Sequence, residues 1–212
     1  MPFKDAFAKF LLLFVVTFVS SLSLNAQETA NARQARHMFD RAYQKVFGQQ
    51  GSSLHYKVNI IGIYKTEGTI WRKGKCHKFT DAKMNVWNNG VTTYVVEKKK
   101  KQVEIYNANS KKLNKHSDSF KFDPDDFYYH VAKEPTGYKL TMKAKPRKKG
   151  IKEAYIWLSN NYEPQRLRIK VAFIWTTIHV SDFHSGDIDE NIFVFPRQQY
   201  ANWKTVDRRN EE

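Results

Sequence analysis

The sequence predicts an antiparallel β-sheet that curls around helices, and three patterns support this fold class. Short segments in which apolar and polar residues alternate recur at near-regular spacing between residues 54 and 183. Turn signals rich in Gly, Asn, Pro and Lys separate these segments. An amphipathic helix precedes them, and a Pro-containing break interrupts them near Asp123. Many short strands with few helices are typical of an α+β protein whose sheet curls on itself.

The N-terminus has the pattern of a secretory signal peptide, which we assign to residues 1–26. Lys4 and Lys9 supply positive charge, and an apolar run follows at residues 10–19. This run is about half as long as a membrane span requires. Small and polar residues then lead to Ala26, the predicted cleavage site. We expect an exported protein whose mature chain, residues 27–212, forms one soluble domain.

Helical spacing of apolar residues predicts a helix at the start of the mature chain. The helix should end at Gly48, because glycine favours the conformation that stops a helix. Its apolar stripe is expected to pack on the sheet or on whatever fills a cavity. The residues of the stripe are Ala35, Met38, Phe39, Ala42, Tyr43, Val46 and Phe47.

Alternation with a period of two then predicts nine or ten short strands. Asn88, Asn89 and Gly90 predict a hairpin turn, because Asn and Gly tolerate positive φ. Gly62 predicts a bulge or bend. The strands are expected at residues 54–60, 69–72, 76–80, 83–87, 91–97, 102–106, 138–145, 151–158, 165–171 and 172–183, and a further short stretch follows at residues 192–195.

A second, short helix is predicted in the middle of the chain. Pro124 suits the first turn of a helix, and Asp125 and Asp126 suit its positive N-terminal end. The helix should be unusually apolar and should end before Pro135. Its apolar residues are Phe127, Tyr128, Tyr129 and Val131.

Composition and motifs argue against several classes of function. The sequence has no Gly-rich phosphate loop, no GxSxG elbow and no HExxH pair. Its one cysteine, Cys76, excludes a disulfide within the chain and any multi-cysteine metal site, and we expect it to be a half-buried strand residue. We therefore expect no catalytic residue, no cofactor and no metal.

The chain is strongly basic, with 36 Lys and Arg against 21 Asp and Glu and a formal net charge of +15. Removal of Lys4, Lys9 and Asp5 with the signal peptide leaves +14. This charge predicts attraction to phosphate or anionic lipid surfaces. The lysine runs fall mostly at predicted turns, where they keep sheet edges unpaired. Because no RNA-binding aromatic motif accompanies them, we expect anionic membrane contact and no nucleic-acid binding.

The ordered set of motifs resembles the periplasmic outer-membrane lipoprotein carriers, the LolA-like proteins, and most closely their Bacteroidetes-type branch. The matching features follow an N-terminal helix and span residues 35–207. They are Gly68-Thr69-Ile70-Trp71, Lys78-Phe79, the hairpin from Val86 to Tyr94, Phe122 to Tyr128, Ile151 to Leu158, Tyr162-Glu163-Pro164, Trp175 to Ile178, Phe193-Val194-Phe195 and Val206-Asp207-Arg208.

The resemblance implies an incomplete β-barrel, closed by helices around an apolar cavity that shelters the acyl chains of a lipoprotein. It implies a periplasmic chaperone, monomeric and without enzymatic activity. Its partners would be acylated lipoproteins, an inner-membrane release transporter and an outer-membrane acceptor. Family members carry an arginine after the W-x-K of the early hairpin, which helps to hold the lid shut. Gly74 stands at that position here, although Arg72 lies nearby.

Alternation and the resemblance together select candidate site residues. Met38, Phe39, Phe127 and Tyr128 are the candidates for a lid. Each methylene of an acyl chain that leaves water contributes about 0.8 kcal/mol, so an apolar cavity can hold a chain reversibly. The predicted cavity positions are Val58, Ile60, Ile70, Val86, Tyr94, Val96, Leu140, Met142, Ile156 and Ile169.

Two other functions are compatible with the sequence. A periplasmic sensor or adaptor on the same fold would read misplaced lipids or lipoproteins and act on a protein partner; Gly74 in place of the family arginine favours it. An exported polyanion-binding module would use the +14 charge, and salt would weaken its binding steeply.

Overall fold

Helix α1 (Ala30–Phe47) opens the part of the protein that the computed structural model describes, namely residues 29–60, 64–110, 113 and 122–211. Thr29 caps the helix, because its hydroxyl accepts the N–H of Ala32 at 3.1 Å. Gly48 follows the last turn, as predicted. Four of the seven residues of the predicted stripe are buried, namely Ala35, Met38, Phe39 and Ala42, and the other three are half-buried. The predicted signal peptide and the predicted bulge at Gly62 lie outside the described residues.

Twelve strands form one sheet in the order β12-β6-β5-β4-β3-β2-β1-β11-β10-β9-β8-β7. Neighbouring strands with a described register are antiparallel, except β12 and β6, which are parallel. The strands are β1 (Ser52–Ile60), β2 (Tyr64–Lys73), β3 (Cys76–Asp81), β4 (Met84–Asn88), β5 (Thr92–Glu97), β6 (Gln102–Asn107), β7 (Phe127–Glu134), β8 (Gly137–Ala144), β9 (Ile151–Ser159), β10 (Pro164–Val171), β11 (Ile174–Ser185) and β12 (Lys204–Asp207).

The predicted fold class, an unclosed antiparallel sheet with an N-terminal helix, is confirmed. The described chain forms two compact units. Unit 1 contains most of α1, the end of β1, the start of β2, strands β7–β10 and most of β11. Unit 2 contains the start of β1, most of β2, strands β3–β6 and the C-terminal segment with β12. Among the described residues, no helix combines the length and the apolar character that crossing a membrane requires.

The turn between β4 and β5 has the predicted chemistry. Gly90 has a φ of +86°, which glycine adopts without strain. The side-chain oxygen of Asn89 accepts the N–H groups of Val91 and Thr92 at 3.0 and 2.9 Å. Asn88 accepts the N–H of Gly90 at 2.7 Å. Side chains thus satisfy three backbone donors of this turn.

The prediction of an apolar mid-chain helix is wrong beyond its first turn. Pro124–Asp126 form a 3₁₀-helix, and Asp123 caps it by accepting the N–H of Asp125 at 2.9 Å. The next residues form strand β7 and alternate between buried and exposed. Aromatic and β-branched residues favour a strand, and this segment pairs with β8 over its whole length. Pro135 therefore lies in a β7–β8 turn.

Three other strand assignments also need correction. Residues 192–195 are not a strand, because Glu190–Phe193 form a 3₁₀-helix. Strand β11 begins at Ile174, because Ala172 adopts a φ of +53° in the turn before it. Strand β12 falls in the polar tail, where we predicted no strand. It pairs in parallel with β6, which places Val206 opposite Glu104.

A buried aromatic pair in unit 2 depends on a glycine. The rings of Tyr56 and Phe79 stack with centroids 5.8 Å apart, and both side chains are buried. Gly68 lies beside them on β2. A Cβ atom there would lie 2.1 Å from the carbonyl oxygen of Thr80 and 2.7 Å from the hydroxyl of Tyr56. The close approach of backbone and ring therefore requires glycine.

We predict that Gly68→Ala lowers the free energy of unfolding by about 2 kcal/mol, because the new methyl group forces the strands apart. Urea denaturation measures this change. Gly74→Ala is the control, because no atom beyond the adjacent residues lies within 4 Å of a Cβ at Gly74, and only its φ of +55° is strained for alanine. Equal destabilisation by the two substitutions would contradict the packing argument.

Candidate functional site

Two rows of apolar side chains cross unit 1 on the same face of the sheet. Residues that are directly opposite in neighbouring strands point to the same face, so the register defines each row. We call these two rows the apolar face. The first row is Val131, Leu140, Ile156, Leu167 and Ile178, and the second is Tyr129, Met142, Ala154, Ile169 and Thr176.

Helix α1 packs against the β7 end of the apolar face. The ring of Phe39 lies 5.7 Å from the ring of Tyr129 and 5.8 Å from that of Phe122. Phe122 in turn stacks on Phe127 at 5.0 Å. The aromatic side chains of helix, loop and strand therefore form one cluster that covers this part of the sheet.

Polar contacts fix α1 at the same end. The Arg36 guanidinium donates to Asp125 at 2.6 Å and to Asp40 at 3.0 Å. Burial disfavours the charged form of Arg36 and by itself would lower its pKa. The hydrogen bonds to the two carboxylates outweigh this effect, so the pKa of Arg36 is raised. The side chain of Asn31 donates to the carbonyl of Val131 at 2.9 Å and accepts its N–H at 3.0 Å. The helix is thus hydrogen-bonded to the backbone of β7, an edge strand.

The apolar face is accessible at two of its central positions. Leu140 and Met142 are 0% exposed and Ile169 is 3% exposed. Ile156 and Leu167, which are directly opposite each other on β9 and β10, are only half-buried. Their neighbours on the same face are buried apolar side chains, so an apolar ligand that contacts Ile156 and Leu167 would extend the core.

The predicted cavity residues of unit 1 lie together. Leu140, Met142, Ile156 and Ile169 all belong to the apolar face. Val58 and Ile60 are each 2% exposed on β1 and point to the same side of that strand, because they are two residues apart. The sequence identified these positions through their alternation.

The predicted cavity residues of unit 2 divide between two faces. Ile70 and Val86 share a face with Phe79 and Val95 through the register of β2 to β5. Tyr94 and Val96 lie on the opposite face, so their grouping with Val86 is wrong. They pack in a cluster with Trp87, Val103 and Tyr200, against Ile105, Phe195 and Trp203.

The C-terminal segment covers this second face, which explains why alternation misassigned it. The ring of Tyr94 stacks on that of Phe195 at 4.3 Å, and Arg197 donates to the hydroxyl of Tyr94 at 3.1 Å. Trp87 contacts Tyr200 edge-on at 5.9 Å. Both faces of β4 and β5 are therefore buried, and the four central residues of β5, Thr93 to Val96, are all buried.

The predicted lid residues have different environments. Met38 and Phe39 are buried on α1, as expected for a helix that covers a sheet. Phe127 and Tyr128 are on strand β7 and not on a helix, so they point to opposite faces. Phe127 is 6% exposed beneath Phe122, whereas Tyr128 is 58% exposed. A lid role therefore stays a proposal for α1 alone.

Gly74, which stands where the resemblance places an arginine, lies in a turn. Gly74 lies between β2 and β3 and has a φ of +55°. Arg72, two residues earlier, places its guanidinium 4.5 Å from the ring centroid of Phe47, the last residue of α1. A neighbouring arginine of this hairpin thus contacts the end of the helix through a cation–π interaction.

The groups with reactive chemistry are dispersed. No cluster of three or more His, Cys, Asp or Glu suited to a metal occurs in the described parts of the chain. Cys76 is half-buried on β3, as predicted, and burial, together with the nearby charge of Glu190, raises the pKa of its thiol. The thiol borders a pocket of about 430 Å³ that also contains Lys73, which pairs with Glu190 at 3.0 Å. An ion pair in its wall makes this pocket unsuitable for an acyl chain.

His77 is a buried ionisable group on the face that Ile70 and Val86 share, and Asp81, four residues further along β3, is another. His77 is 8% exposed, and Phe79 lies two residues along the same strand on the same side. Burial, with a smaller contribution from the charge of Arg72, lowers the pKa of His77 to about 4. The imidazole is therefore neutral near pH 7, and this face carries no charge there from His77.

Comparison with known proteins supports the fold. No protein-family model matches the chain, and no curated protein is significantly similar to it. An uncharacterized conserved protein from Thermus thermophilus has a TM-score of 0.57 at 12% identity, over 82% of this chain and 99% of that one. This likeness shows a shared fold.

Two further solved structures are similar to the chain over most of their own length. Lipoprotein LppX from Mycobacterium tuberculosis has a TM-score of 0.47 at 11% identity, over 74% of this chain and 98% of that one. A LolA superfamily protein from Nitrosomonas europaea has a TM-score of 0.34 at 9% identity, over 76% and 97%. One of these matched structures thus carries the LolA superfamily name, and the Bacteroidetes-type branch stays a prediction.

We predict that the protein loses stability between pH 7 and pH 5.5 because of His77. The unfolded state, with a histidine pKa of about 6.5, binds a proton over this range, whereas the folded state does not until about pH 4. The loss should be about 1 kcal/mol by urea denaturation. His77→Gln should remove this part of the pH dependence. An unchanged slope in the variant would contradict the assignment.

Proposed function

We propose that the protein binds the acyl chains of lipoproteins on the apolar face of unit 1 and carries them through the periplasm from the inner to the outer membrane. The observation that carries this proposal is the half-burial of Ile156 and Leu167 within an otherwise buried apolar face. An acyl chain placed there would complete the burial of both side chains.

The chemistry of the apolar face favours an apolar ligand. Its two rows contain no ionisable group except the phenol of Tyr129. Burial raises the pKa of this phenol, so it is neutral at physiological pH, and its hydroxyl donates to the carbonyl of Pro124 at 2.8 Å. An acyl chain on this face would therefore meet no unpaired charge.

The strength of such binding suits a carrier. Each methylene that is removed from water contributes about 0.8 kcal/mol, so a chain that is partly covered binds reversibly. Helix α1 is the element that would cover the chain, because it already packs on one end of the apolar face through Phe39. Export, which rests on the signal-peptide pattern, belongs to this proposal, as does the absence of enzymatic activity, which rests on the missing motifs and on the resemblance. A periplasmic location, a monomeric state, and a release transporter and an acceptor as partners belong to it through the resemblance.

We predict that Ile156→Glu weakens the binding of a fluorescent fatty acid at least about tenfold, because the new carboxylate must be buried against the acyl chain. Displacement titrations measure the affinity, and circular dichroism checks that the variant folds. Ile156→Ala should weaken binding less, because it removes contacts without adding charge.

Thr141→Glu is the matched control, because Thr141 is half-buried on the neighbouring strand but on the opposite face. It should leave fatty-acid affinity unchanged. Equal losses in the two glutamate variants, or full affinity in a folded Ile156→Glu protein, would contradict the site. Release of a triacylated lipoprotein from spheroplasts by the wild type, but not by Ile156→Glu, tests the carrier step.

A further inference from the structure

The face of unit 1 opposite the apolar face has a different composition. Strands β8 to β11 place aromatic and cationic side chains in register there, so that Trp157 lies between Lys139 and Arg166, and Lys170 lies beside Trp175. We call this surface the aromatic–cation face. Its rings are Tyr155, Trp157 and Trp175, and its cations are Lys139, Lys143, Arg166, Arg168 and Lys170.

The cations of this face lie over the rings. The Arg166 guanidinium is 3.7 Å from the ring centroid of Trp157, and that of Arg168 is 4.6 Å from the centroid of Trp175. The ring of Tyr155 stacks on that of Trp175 at 5.5 Å. Stacking on the rings positions the guanidinium groups while their edges stay available to hydrogen-bond an anion.

The charge of the face is unbalanced. Glu153 is the carboxylate in the same register, opposite Lys143 and Lys170, and it accepts the hydroxyl of Tyr155 at 2.5 Å. On these strands, the aromatic–cation face thus carries five cationic side chains and one carboxylate. A surface of this kind attracts an anionic partner.

An exposed aromatic residue stands at the end of this face. Phe173 is 84% exposed in the β10–β11 turn, between Lys170 and Trp175 in the chain. The preceding residue, Ala172, has a φ of +53°, so the turn is tight. A large apolar side chain at a hairpin tip, with tryptophan and lysine beside it, matches the side chains that settle at a membrane–water interface.

We propose that the aromatic–cation face and Phe173 form a docking surface for an anionic lipid bilayer. The cations bind the phosphates of the lipid headgroups, the rings lie at headgroup level, and Phe173 enters the acyl boundary. A soluble polyanion would use the cations but would leave Phe173 in water, and for this reason the bilayer is the favoured partner. The surface shares no residue with the apolar face, so this inference stands independently of acyl-chain binding.

Co-sedimentation with vesicles tests the proposal on the mature protein. Phosphatidylcholine vesicles that contain phosphatidylglycerol should bind it, whereas pure phosphatidylcholine vesicles should not, and added salt should weaken the binding. Arg166→Glu/Arg168→Glu/Lys170→Glu should lower the affinity at least about tenfold, since each basic residue near an anionic surface contributes about a fivefold gain. Phe173→Ser should lower it several-fold without a change in net charge.

The triple variant Lys75→Glu/Lys99→Glu/Lys101→Glu is the matched control, because it changes the same amount of charge at exposed turn residues of unit 2. It should keep most of the affinity. Equal losses in the two triple variants would overturn the proposal, because net charge alone would then explain binding. Binding to heparin without binding to anionic vesicles, or an unchanged affinity of Phe173→Ser, would also overturn it and assign the face to soluble polyanions.

Discussion

The register of strands β7 to β11 is the constraint on which both proposed surfaces depend. Successive side chains of a strand point to opposite faces, so a slip of one residue would exchange the two faces. The observed register collects Leu140, Ile156 and Leu167 on one face and Lys139, Trp157 and Arg166 on the other. The apolar face must be covered to be stable in water, whereas cation–π contacts stabilise the side chains of the aromatic–cation face at the surface.

The two units cover their apolar strands differently. In unit 1, α1 covers the sheet near β7, where Asn31 pairs with Val131 and protects an edge strand from further pairing. The interior strands β9 and β10 keep Ile156 and Leu167 partly accessible. In unit 2, the C-terminal segment packs on Tyr94 and Val96. A face with complete cover is core, whereas a face with partial cover is available to a ligand, and for this reason we propose the acyl site in unit 1.

Periodicity predicted most of the fold, because α1 and most of the strands have strong local patterns. The pattern failed where tertiary packing decides. Phe127 to Val131 are compatible with both a short helix and a strand, and only pairing with β8 selects the strand. For Tyr94 and Val96, alternation cannot tell which face is inside once both faces of β5 are buried. The aromatic–cation face was not predicted either, because Trp157 and Trp175 come together only through the register of three strands.

Photo-crosslinking with a diazirine-labelled fatty acid would locate the acyl chain on the protein. After irradiation, peptide mass spectrometry identifies the labelled residues. We expect labels on β9 and β10 at Ile156 and Leu167, with additional labels on α1 near Phe39, if the acyl chain lies on the apolar face. Labels concentrated on the aromatic–cation face, or around Tyr94 and Phe195, would contradict this position.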